Sequence, residues 1–168
     1  MTSLLREACA RANDFFLEPV PAAAGNRNGL SQTEVAVLGL SAGCGVTTLA
    51  RGLALSRSPA ALVRDIAAGE AESARAAAHR ADAVVLVAGP GSEPSLAELV
   101  AQMICHDLGR IVLVANRVTD PSRWNGRADL LVPESRLGAA LVSRGRRPVG
   151  AFAAALAKLG EIVEEPRN

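Results

Sequence analysis

The sequence predicts an α/β domain of three layers: a mostly parallel sheet with helices on both faces, preceded by an N-terminal helix on a linker. Three observations carry this. The runs Val35–Leu38, Ala83–Ala88 and Ile111–Ala115 are apolar at every position, as strands covered on both faces must be. Segments with helical periodicity alternate with them, the order that builds a parallel sheet from strand–helix–strand units. The apolar runs stop at Gly39, Gly89 and Asn116, and a shorter one stops at Asp65, so small or polar residues collect at one edge of the sheet. Ligands of such sheets bind beyond the carboxyl ends of the strands.

In chain order, residues 1–18 form the N-terminal helix. Ser3 can cap it, and Leu4, Leu5, Ala8, Cys9, Ala12, Phe15 and Phe16 fall largely on one face. Packing on its own domain is the plain reading; docking to a partner or a second copy is the sharper one. Residues 19–32, PVPAAAGNRNGLSQ, read as a linker from their Pro, Gly and Asn content. The domain proper spans 33–168. Its first strand ends at Gly39 and a glycine loop follows, then a helix that opens at Thr47–Thr48 and stops before Ser58–Pro59. A short strand, AALVRD, closes on Asp65. An alanine-rich helix over Glu70–Arg80 leads to the strand Ala83–Ala88 and the turn Gly89-Pro90-Gly91. The helix Ser95–His106 precedes the strand Ile111–Ala115, which ends at Asn116–Arg117. Leu130–Val132 is a last short strand ending at Pro133, and helices over Ser135–Ser143 and Val149–Glu164 finish the chain.

Composition removes several classes of function. At 168 residues the chain is one domain with room for a proper core, and 49% hydrophobic content suits a packed globule. Aromatic residues are 2%, too few for base-stacking platforms, and the net charge of +1 draws the protein to neither nucleic acid nor anionic membrane. Cys9, Cys44 and Cys105 are far apart and odd in number, which argues against disulfides and zinc and for a reducing, cytoplasmic setting. Arg6, Glu7 and Arg11 interrupt any signal-peptide core, and no apolar run approaches membrane-spanning length. Among 18 basic residues, Lys158 is the only lysine.

The stretch Glu34–Leu55, EVAVLGLSAGCGVTTLARGLAL, has the architecture of a phosphate-binding loop: strand, glycines, a hydroxyl pair, helix. Gly43 and Gly45 let backbone N–H groups approach an anion, and the helix N-terminus adds partial positive charge. The lysine expected before the hydroxyl pair is Val46. Cys44 sits inside the loop, a filler rather than a nucleophile. His79 and His106 are isolated, with no partner at metal-ligand spacing. Trp124 reads as a surface-loop anchor, with a partner contact as second reading.

Five stretches in order resemble the MinD/ParA branch of the P-loop NTPases, covering Glu34 to about Val163. SAGCGVTT resembles that family's KGGVGKTT loop, and ALVRDIAAG its acidic strand followed by D-x-x-x-G. ADAVVLVAGPGSEPSLAEL resembles its strand-and-proline segment, IVLVANRV its strand beside the base, and LLVPESRLGAALVSRGRRPVGAF its closing segment. The resemblance implies a P-loop-type fold and a face-to-face homodimer that acts on a protein partner in positioning or assembly machinery. It implies ATP or ADP with Mg²⁺ as ligand. Ser41, Gly43, Cys44, Gly45, Val46, Thr47 and Thr48 would surround the phosphates, Asn116, Arg117 and Pro133 would lie beside the base, and Thr47 and Asp65 would hold Mg²⁺.

The departures bear on chemistry. Ser41 and Val46 stand where the family has its two lysines, and Leu40 where the loop has its first glycine. Only Ser56–Ala60 separates the loop helix from the acidic strand, where the family carries a further strand and its first switch region. Each lost electrostatic group is worth about 3–4 kcal/mol to phosphoryl transfer, so hydrolysis by the isolated chain is expected to be weak or absent. Arg51 and Arg64 are the candidate substitutes, against plain readings as exposed or strand-end residues. The guanine-reading pattern N-K-x-D is not met, because Thr119 holds the fourth place and Asp120 comes one residue late. The expected role is a dimerising scaffold with at most weak nucleotide binding; a nucleotide-responsive regulator and a partner-activated slow ATPase are the alternatives.

Overall fold

A single sheet of five strands, every neighbouring pair parallel, organises the computed structural model, which describes residues 33–56, 61–66, 71–105 and 110–164. The helix and linker expected over 1–32 lie outside the described residues, as do Ser58–Pro59 and His106. The elements are β1 (Thr33–Gly39), α1 (Val46–Ser56), β2 (Ala61–Ile66), α2 (Ala71–Arg80), β3 (Ala83–Ala88), α3 (Pro94–Cys105), β4 (Arg110–Val118), a 3-10 turn (Pro121–Trp124), β5 (Leu130–Pro133), α4 (Arg136–Ser143) and α5 (Gly150–Glu164). Across the sheet the order is β2-β1-β3-β4-β5.

The period of two along each strand divides the core in half. Val35, Val37, Val85, Val87, Val112, Val114 and Val132 face one layer, where they meet Leu49 and Leu53 of α1, Val142 of α4, and Phe152, Leu156 and Leu159 of α5. Ala36, Leu38, Val84, Leu86, Leu113 and Ala115 face the other, against Ala74, Ala77 and Ala78 of α2 and Ala97 of α3. Small residues on the second pair of helices let them lie close to the sheet. Apolar residues on both faces of each central strand are what a covered parallel sheet requires.

Local chemistry sets the ends of α4. Ser135 is its N-cap and its side chain accepts from the Gly138 N–H. At the other end Gly145, at φ 68°, donates to the Val142 carbonyl at 3.0 Å, and Arg146 donates to Leu141 at 2.9 Å. That is a Schellman stop.

Two elements differ from the sequence expectation. β4 does not end before Asn116: Asn116 still pairs with Val132, and Val118 pairs with Pro133, with a bulge between them. The reason is that β5 offers a parallel edge to pair with, which overrides the turn preference of Asn. Trp124 is not a surface residue. It is 6% exposed and belongs to the α2/α3 side of the core, because the 3-10 turn folds the β4–β5 connection back over that face.

Candidate functional site

The chain leaves β1 toward the layer of α1 and leaves β3 toward the layer of α3, so the switch point of the sheet falls between these two strands. The glycine loop lies over it. Leu40 N–H donates to the Val87 carbonyl at 3.0 Å, which extends the β1–β3 pairing one residue beyond Gly39. Gly89, at the end of β3, comes so close that a Cβ there would stand 3.0 Å from the Cys44 Cα. The two strand ends are therefore packed together rather than splayed.

Within the loop, Ser41, Ala42 and Gly43 are exposed, and Cys44 N–H donates to the Ser41 carbonyl at 3.3 Å. Gly43 and Gly45 adopt φ of 69° and 87°, a region that side chains resist. Cys44 is 1% exposed in the core, as its reading as filler requires. Val46 is 8% exposed and its side chain belongs to the same core. Its contribution to any ligand is confined to its backbone N–H, which with those of Thr47 and Thr48 opens α1 and has no partner inside the helix. Thr47 is exposed and Thr48 half-buried. Asp65 stands in β2 level with Val37 of β1, two residues short of Gly39.

The bulge in β4 reaches the loop. Asn116, 4% exposed, donates from Nδ2 to the Cys44 carbonyl at 2.8 Å, and its Oδ1 accepts from the Arg117 N–H at 3.0 Å. Arg117 sits at φ 57°, the one positive-φ residue other than glycine among the described residues. Its Nη2 donates to the Gly43 carbonyl at 2.5 Å, while its Nε is buried without a protein partner. Gly45 is required at this contact, since a Cβ there would stand 2.5 Å from Asn116 Nδ2. The structure thus brings Ser41, Gly43, Cys44, Gly45, Asn116 and Arg117 together. Pro133 lies on the neighbouring strand end, paired with Val118.

Two of the remaining polar residues, Asp120 and Lys158, are committed to their own elements. Asp120 caps the 3-10 turn, accepting from Ser122 N–H at 3.0 Å and from the Ser122 hydroxyl. The hydroxyl bond first, then the backbone bond, hold its carboxyl below the usual aspartate range. A carboxylate so occupied does not reach out to read a base. Arg51 is exposed on α1, and Lys158 pairs with Glu161 at 3.1 Å on the outer face of α5. Among the described residues no three His, Cys, Asp or Glu side chains cluster to hold a metal, and no helix is long and apolar enough to cross a membrane. No protein-family model matches the chain, and no curated protein matches it.

Sequence reasoning did not find the contact between β4 and the loop. The signal was present in IVLVANRV, where Val118 resumes the apolar pattern after two polar residues, as it does at a bulge.

Proposed function

We propose that this protein is a reduced, catalytically degenerate relative of the MinD/ParA-type NTPases. In this reading it keeps the fold as a dimerising scaffold or adaptor in a cytoplasmic positioning or assembly system, and its loop retains at most weak affinity for the phosphates of ATP or ADP. The observation that carries the reading is Val46, whose side chain is core where a catalytic lysine would reach the β- and γ-phosphates. With Ser41 at the other lysine position, only a backbone cradle supported by glycine remains, which suits binding an anion more than transferring one.

Nucleotide, where bound, would rest its phosphates on the N–H groups of Gly45–Thr48. Thr47 would share Mg²⁺, an ion that ordinarily keeps several waters and takes few protein ligands. A second reading, a nucleotide-responsive regulator, is favoured by the care with which the loop is held: both of its carbonyls at Gly43 and Cys44 are engaged by β4.

Titration with a fluorescent ATP analogue, with and without Mg²⁺, separates the two. Affinity tighter than about 100 µM, about 5 kcal/mol of binding, that weakens in Thr47→Ala supports the regulator. No binding at millimolar ligand leaves the scaffold, and turnover by the purified chain alone would overturn both.

A further inference from the structure

Arg117 holds a backbone conformation, φ 57°, that the proposed function by itself does not explain. The left-handed region is unfavourable for a residue other than glycine, and such strain persists only where its surroundings impose it. Glycine would take this φ without steric cost, so the arginine side chain is held against a backbone preference. What it touches is the loop: Nη2 meets the Gly43 carbonyl at 2.5 Å, next to the Asn116 bond to the Cys44 carbonyl at 2.8 Å. Two successive loop carbonyls are thus drawn toward β4 by two successive residues of a bulge.

A trans peptide points its C=O and its N–H in opposite directions. Drawing the Gly43 and Cys44 carbonyls toward β4 therefore turns the N–H groups of Cys44 and Gly45 away from it. Cys44 N–H is then taken by the Ser41 carbonyl at 3.3 Å, and that of Gly45 is left with those of Val46–Thr48 that open α1. We infer that Asn116 and Arg117 are positioning residues, a latch that sets the peptide orientations of the glycine loop so that its free N–H groups converge on a phosphate. Arg117 is also the one cation in contact with the loop among the described residues. The latch stands on the geometry alone; only its ligand, a di- or triphosphate group, rests on the phosphate-loop reading above.

The test uses the full chain and inorganic pyrophosphate as probe, with amide hydrogen exchange of Cys44, whose N–H is bonded to the Ser41 carbonyl, followed by NMR. Arg117→Gly keeps the φ and removes the latch. It is expected to speed exchange of the Cys44 amide, the one bonded N–H of the latched peptides, at least about tenfold while core amides such as Val85 are unchanged, and to weaken pyrophosphate binding by a similar factor. Arg117→Lys, which can still donate to the Gly43 carbonyl, is expected to restore both to within about threefold of the parent. Cys44 exchange that stays closer to the parent than tenfold in Arg117→Gly would overturn the latch. If the parent chain binds no pyrophosphate at millimolar concentration, the phosphate reading fails, and the Cys44 amide still decides the latch.

Discussion

Asn116 does at the level of single atoms what would otherwise take several residues. Its amide joins the β4 bulge to a loop 72 residues earlier in the chain, and it is the one buried polar side chain among the described residues. Asn116→Ala leaves the Cys44 carbonyl without its donor and is expected to cost about 1–3 kcal/mol in urea denaturation. Gly45→Ala fails for a different reason: its Cβ would meet Asn116 Nδ2 at 2.5 Å and φ would be 87°. It should destabilise by at least as much, and a neutral result for either variant would mean that the loop repacks without the contact. Asp120 sets an acid limit on the neighbouring turn. Its folded pKa is depressed, so its contribution is present above the ordinary aspartate range and lost as pH falls through and below it. Asp120→Asn should flatten that part of the acid denaturation curve, and an unchanged curve would remove the carboxylate from the account.

At the scale of elements, close packing between α4 and α5 decides how the last helix seats on β5. A Cβ at Gly138 would stand 2.5 Å from the Phe152 ring and 2.9 Å from the Ser135 hydroxyl that caps α4. Gly138→Ala is therefore expected to cost about 1–3 kcal/mol by overpacking, despite alanine being the better helix former. Gly91, where a Cβ would meet nothing within 4 Å, is the control, and Gly91→Ala should be close to neutral in the same thermal melts. The helices and strands themselves were largely legible in the sequence. Ala83–Ala88 agrees to the residue, and Ser135 and Ser143 bracket α4 as read. β4 runs past the sequence expectation because the turn preference of Asn-Arg is local, whereas pairing with β5 is not. The polar flanks of Trp124 suggest a surface-loop anchor; its burial comes from where the 3-10 turn folds, which its neighbours in sequence do not encode.

For the whole molecule, the question is what a glycine loop that holds no lysine can bind. Val46→Lys is informative because the valine lies in the core. An ammonium introduced there must extend into the loop mouth or be buried unpaired, so the variant should melt lower than the parent, by about 1–3 kcal/mol, and recover when pyrophosphate is added. A melting point insensitive to the anion would mean that the loop holds no phosphate. The proposed dimer is checked separately by light scattering over a range of concentrations, where a single monomeric mass throughout would remove the scaffold reading in its dimeric form.

The sequence by itself determined the class of fold, the apolar cores of the strands and the absence of lysine from the glycine loop. Hydrophobic periodicity and residue identity are local properties, and they are written in the order of residues. Only the tertiary structure decided that Val46 points into the core, that β4 continues through a bulge, and that Asn116 and Arg117 close on the glycine loop. Those facts depend on which strand lies beside which and on the register between them. A side chain's partner 70 residues away is selected by packing, and no local pattern specifies it.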